Sequence, residues 1–117
     1  MSIRIYNNIA KSGLSLLKKN YKIGVGNEVM DPLGILLRSH NLNQETIPDS
    51  VLGIARCGIG VNNIPVDEMT RTGTVVFNTP GSNANSVKEL TLTGMLLASR
   101  NIVQGINYVN GFGENID

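Results

Sequence analysis

Apolar and polar positions follow two alternating rhythms up to Phe77. Short apolar runs closed by Gly, Asn or Arg read as strands, and spaced leucines between them read as helices. Ser2 to Tyr6 predicts a first strand. Ile9 to Leu17, carrying Leu14, Leu16 and Leu17, predicts a helix ending near Lys18-Lys19-Asn20, where lysines suit the negative end of the helix dipole. Tyr21 to Val25 is a second strand, closed by Gly26. Gly34 to Leu37 is a third, stopped by Arg38-Ser39-His40. Pro48 to Leu52 predicts a brief helix. Gly53 to Arg56 is a fourth strand, ended by Gly58 and Gly60. Pro65 stands in the first turn of a further helix, where its missing N–H costs nothing. That helix runs to Arg71, with Gly73 as a left-handed cap. Thr74 to Phe77 is the fifth strand.

Strands separated by short helical segments imply parallel pairing through right-handed crossovers. The fold class is therefore α/β, a flavodoxin-like five-stranded parallel sheet in the order 2-1-3-4-5 with helices on both faces. Ligands of such open sheets bind beyond the carboxyl ends of the strands. Those ends are Tyr6-Asn7-Asn8, Arg38-Ser39-His40, Cys57-Gly58-Ile59-Gly60 and Asn78-Thr79-Pro80.

A long helix then follows. Ser86-Val87-Lys88-Glu89 fits a capping box, with Ser86 as cap. Leu90, Leu92, Met95, Leu96, Leu97, Ala98, Ile102 and Val103 spread around most of its circumference. A helix apolar all round is normally buried on every side, and a small five-stranded domain cannot enclose it. The pattern thus divides the chain into a domain at 1–85, a helix at 86–106 that packs on a second body, and an Asn- and Gly-rich linker at 107–117.

Composition narrows the class. The 117 residues are 41% hydrophobic and 16% charged, which suits one folded domain rather than a disordered chain. Two Phe, three Tyr and no Trp leave an aliphatic core, as covered parallel strands prefer. A net charge of +1 supplies no basic field for nucleic acid. No apolar run is long enough for a membrane span, the start has no signal-like apolar segment, and a single Cys57 forms no internal disulfide. The expected setting is cytoplasmic.

Candidate chemistry concentrates in Ala55-Arg56-Cys57-Gly58-Ile59-Gly60-Val61-Asn62-Asn63. Glycines at 58 and 60 free the backbone to approach a ligand and to present N–H groups to a carboxylate or phosphate. The other reading is a plain strand-to-helix turn that needs glycine for its dihedrals. It is not a dinucleotide fingerprint, because Asn63 stands where G-x-G-x-x-G requires its third glycine. Arg38 and Arg56 end neighbouring strands on one edge. Paired guanidiniums there suit an anion, against the alternative that each is bonded to loop carbonyls. His40, the only histidine, reads as a solvent-facing loop residue without an orienting partner, and Cys57 as a small buried thiol. No residue cluster has metal-ligand spacing.

Ile35-Leu36-Leu37-Arg38-Ser39-His40, the run from Ile54 to Pro65, the run from Val76 to Glu89 and Leu96 to Asn101 resemble the D-isomer-specific 2-hydroxyacid dehydrogenases, in particular the D-3-phosphoglycerate dehydrogenase group. The likeness runs in order over nearly the whole chain. It implies a two-domain NAD-dependent enzyme whose flavodoxin-like substrate domain is split in sequence by a Rossmann domain. Such an enzyme oxidises 3-phospho-D-glycerate to 3-phosphooxypyruvate in serine synthesis. By the resemblance, Arg38 and Ser39 meet the substrate, Arg56 lies near its phosphate, and the backbone at Gly58 and Ile59 holds the carboxylate. Ile59 also borders the nicotinamide, and Asn83 touches substrate or cofactor. The helix from Ser86 to Asn101 crosses to the cofactor domain.

The family's catalytic Arg, Glu and His match nothing here, so no catalytic residue is expected and His40 is not the catalytic histidine. NAD would be bound mainly by a domain this chain lacks, as it also lacks the helix that completes the substrate domain. Asn62 replaces an Asp common in that loop. The expected function is a substrate-binding fragment, inactive by itself, that forms a homo-oligomer through residues 86–106. The alternative is a stand-alone flavodoxin-like module for anion binding or self-association. Neither acidic residues nor a hydroxyl-rich loop follow the first strand, so a receiver or flavin module lacks its chemistry.

Overall fold

Five short strands pair wholly in parallel in the order β2-β1-β3-β4-β5. They are β1 (Ser2–Ile5), β2 (Lys22–Val25), β3 (Gly34–Leu37), β4 (Gly53–Arg56) and β5 (Val75–Phe77), interleaved with the helices α1 (Lys11–Leu17) and α2 (Val66–Thr72). The computed structural model describes residues 1–112. The sheet is the flavodoxin-like order expected from the alternation of patterns. The third and fourth strands occupy the residues expected from sequence, while the first, second and fifth are one residue shorter at one end.

Register explains which residues form the core. Ile35 pairs with Ile54 and Ile54 with Val76, so these side chains share one face of the pleat. Leu37 is fully buried on that face, beside Leu42, Val51, Ile64 and Met69 from the loops and α2. Each such aliphatic chain contributes about 1.5–3 kcal/mol relative to exposure. The opposite face carries Ile3, Leu36, Ala55 and Phe77 around an apolar cavity of about 490 Å³ that Leu17 of α1 and Tyr21 also line. Phe77 and Val75 remain more than half exposed there.

Local sequence signals account for most ends. Gly73 closes α2 at φ 80°, a left-handed conformation that only glycine adopts without strain. Pro48 to Leu52 is not a helix. It is one turn, with the Val51 N–H donating to the Pro48 carbonyl at 3.0 Å. The Ser50 hydroxyl donates to the Pro32 carbonyl, and the Leu52 N–H to the Leu33 carbonyl at 2.9 Å, so the chain is drawn straight into β4. So short a segment does not nucleate a helix unaided.

Residues from Asn83 form a second unit, distinct from Met1–Ser82. The single helix expected over 86–106 is two: α3 (Ala84–Ser99) and α4 (Ile102–Asn110). Asn101 takes φ 54°, a conformation asparagine tolerates, and its carbonyl accepts from the Gly105 N–H as the second helix starts. Ser86 is not the cap. The Val87 N–H already donates to the Asn83 carbonyl, so the helix begins earlier and the capping box does not form. The expected linker is helical through Asn110, and its last part, 113–117, lies outside the described residues.

Candidate functional site

The carboxyl ends of β1, β3 and β4 converge on the loop Arg38-Ser39-His40. Leu37 and Arg56 are register partners, so the segments leaving β3 and β4 start side by side. Arg56 ties them. Its Nε donates to the Arg38 carbonyl at 2.9 Å, and its Nη1 donates to the Gly60 carbonyl. Of the two arrangements open from sequence, Arg56 thus takes the one with loop carbonyls. Arg38 does not share it: its side chain is exposed, with no hydrogen bond or ion pair among the described residues. Ser39 is exposed beside it.

The glycines of the second loop serve this brace. A Cβ at Gly58 would stand 3.3 Å from the Arg56 Cζ, and one at Gly60 would stand 3.1 Å from Nη1. Neither glycine has a positive φ, so what a side chain there would meet is the guanidinium and not a forbidden turn dihedral. The Gly58 N–H is spent inward on the Arg56 carbonyl at 2.9 Å. Among the described residues no acceptor bonds the Ile59 N–H, and the Ile59 side chain is 52% exposed. The loop after β5 pins the other side, with the Asn78 Nδ2 donating to the Ile59 carbonyl and the Thr79 N–H to the Gly58 carbonyl. Asn83 belongs to the second unit, at the start of α3. Cys57 is half-buried, with its N–H held by the Leu37 carbonyl at 2.8 Å.

Several residues without an expected role complete the site. Asn7 follows β1 at φ 65° and turns its Oδ1 to accept from the N–H groups of Arg38, Ser39 and His40 at 3.2, 2.9 and 2.9 Å. Asn63, buried, donates from Nδ2 to the His40 carbonyl at 2.6 Å and to the Arg38 carbonyl at 3.4 Å. His40 is not a free loop residue. Its ring stacks on Tyr6 at 3.9 Å and 5°, and its Nε2 pairs with Glu45. The Tyr6 hydroxyl donates to Glu45 Oε2 at 3.0 Å and accepts from the buried Arg4 Nη1 at 3.4 Å. Burial, with Glu45 adding and Arg4 opposing, raises the Tyr6 phenol above its ordinary range. The only sequence trace of this network is an asparagine directly after a strand, a residue suited to left-handed turns.

Residues 5–112 match the D-isomer specific 2-hydroxyacid dehydrogenase, catalytic domain, nearly the whole chain. The chain belongs to the D-isomer specific 2-hydroxyacid dehydrogenases. It is 49% identical over 51 residues to a D-3-phosphoglycerate dehydrogenase of Methanocaldococcus jannaschii, covering 44% of this chain and 10% of that protein. Among solved structures it resembles an NADPH-dependent glyoxylate/hydroxypyruvate reductase of Sinorhizobium meliloti, in complex with citrate, at a TM-score of 0.77 and 20% identity, covering 94% of this chain and 38% of the other. An NAD⁺-bound 3-phosphoglycerate dehydrogenase of Entamoeba histolytica gives a TM-score of 0.65 at 24% identity, covering 83% and 38%. These two likenesses show the fold. The chain thus spans a small part of the length of its relatives.

Where G-x-G-x-x-G would place its third glycine after Gly58 and Gly60, the chain has Asn63, buried and bonded to the 38–40 loop. Among the described residues no His, Cys, Asp and Glu group could hold a metal, and no helix is long and apolar enough to cross a membrane.

Proposed function

We propose that this chain is the substrate-binding portion of an NAD-dependent D-3-phosphoglycerate dehydrogenase. The whole enzyme would oxidise 3-phospho-D-glycerate to 3-phosphooxypyruvate for L-serine synthesis, in the cytoplasm. The observation that carries the reading is the Arg56 brace, which ties the main chain of Arg38 to that of Gly60 at adjacent strand ends while the Arg38 side chain stays exposed. Arg38 supplies the free planar fork that binds carboxylate or phosphate bidentately. Ser39 adds a hydroxyl and Ile59 an N–H. With its guanidinium engaged by carbonyls, Arg56 acts on the substrate phosphate through the charge it places nearby and through its remaining donors. NAD chemistry and acid/base catalysis fall to other residues of the whole enzyme, with Ile59 at the border of the cofactor, so the chain by itself transfers no hydride.

Titrating 3-phosphoglycerate into the isotopically labelled chain tests this. The amides of residues 38–40 and 58–60 should shift, and Arg38→Ala should weaken the effect about tenfold, the loss of one charge-assisted pair. Shifts confined to other residues, or equal binding by the variant, would overturn the assignment.

A further inference from the structure

We propose that Asn7 is a positioning residue for the anion site: its carboxamide oxygen, by gathering the N–H groups of Arg38, Ser39 and His40, fixes the direction in which the Arg38 guanidinium leaves the loop. The inference rests on the reading of Arg38 as an anion-binding group. Three consecutive N–H groups facing one point form a concave donor cup of the kind that otherwise captures an anion. Here the point is occupied by Asn7 Oδ1, at 2.9–3.2 Å from all three nitrogens. The left-handed backbone of Asn7, at φ 65°, directs the side chain there.

The carbonyls of the loop are held by Arg56 and Asn63 at Arg38 and by Asn63 at His40, and the His40 ring by Tyr6 and Glu45, whereas among the described residues the Arg38 and Ser39 N–H groups meet Asn7 alone. Without Asn7 the carbonyls and the His40 ring stay anchored, while the Arg38 and Ser39 N–H groups lose their acceptor and the peptide units there are free to tilt. The guanidinium would then sweep a range of directions, and ordering it on binding would cost affinity.

Two variants separate backbone conformation from hydrogen bonding. Asn7→Gly keeps the left-handed turn and removes the acceptor, and Asn7→Asp keeps both. In the ligand-free chain, amide exchange at Arg38, Ser39 and His40 should rise about tenfold in Asn7→Gly, as for loss of a typical hydrogen bond, and stay slow in Asn7→Asp. This readout stands even if 3-phosphoglycerate is the wrong ligand. Unchanged exchange in Asn7→Gly would overturn the proposal. For the 3-phosphoglycerate titration, Asn7→Gly and Arg38→Ala should each weaken binding, and the double variant should be no weaker than Arg38→Ala alone. Fully additive losses would show that Asn7 acts independently of Arg38 and would also overturn it. Faster exchange in Asn7→Gly with no binding by the unaltered chain would leave the clamp standing and remove the phosphoglycerate reading alone.

Discussion

Arg56 reaches across from the end of β4 and donates to the main-chain oxygen of Arg38 at 2.9 Å. One arginine therefore organises the ground on which the other stands. Its guanidinium occupies the space that side chains at positions 58 and 60 would fill. The two glycines, the brace and the exposed Arg38 form one unit.

The brace predicts a coupled pair of substitutions. Gly60→Ala should destabilise the chain by about 1–3 kcal/mol, because its Cβ overpacks against Arg56 Nη1. With Arg56→Ala already present the same change should cost less, since the obstructing group is gone. A double-mutant cycle by urea unfolding measures the difference. Strictly additive costs would show that Gly60 is constrained by something else.

Tyr6 predicts an alkaline loss of stability. Its folded-state phenol titrates above the ordinary 10.0, mainly through burial. Between those two values the unfolded chain has released a proton that the folded chain still holds, so stability falls as pH rises through that window and is fully present below it. Tyr6→Phe removes a hydroxyl bonded to Glu45 and Arg4 and should cost about 1 kcal/mol at neutral pH. Its deficit should narrow above pH 10, measured by thermal unfolding across pH. A constant deficit would mean that Tyr6 is not linked to the alkaline transition.

The core predicts a contrast between two leucines. Leu37 is 0% exposed and Leu90 is 73% exposed. Leu37→Ala should cost about 2–5 kcal/mol by leaving a cavity, whereas Leu90→Ala should lie within about 0.5 kcal/mol in a monomeric chain. Denaturant midpoints at low protein concentration compare them.

The second unit predicts self-association. Leu90, Leu92, Met95, Leu96, Ile106 and Val109 are each more than half exposed on α3 and α4. Apolar surface of that extent seldom stays in water. Light scattering should find dimers or larger species, and Leu96→Glu should shift the population toward monomer. A monomer at high concentration in the unaltered chain would refute this.

What the sequence alone determined is local or periodic. Gly34–Leu37 and Gly53–Arg56 announce strands by apolar runs with sharp ends, and Gly73 announces a cap because its backbone conformation excludes other residues. The parallel order followed from the alternation, since short helices between strands leave few other connections. Tertiary structure decided what depends on groups far apart along the chain. Asn7 meets Arg38 across 31 residues, and Tyr6 meets Glu45 across 39. Whether Arg56 points at a ligand or at a carbonyl is settled by which acceptors the neighbouring loops present, and no spacing within its own segment encodes that. The break at Asn101 is similar, because the apolar pattern runs on through both helices while one left-handed residue divides them. Patterns announce the strands and most helix positions, but helix breaks and hydrogen-bond partners are chosen only once the elements have met.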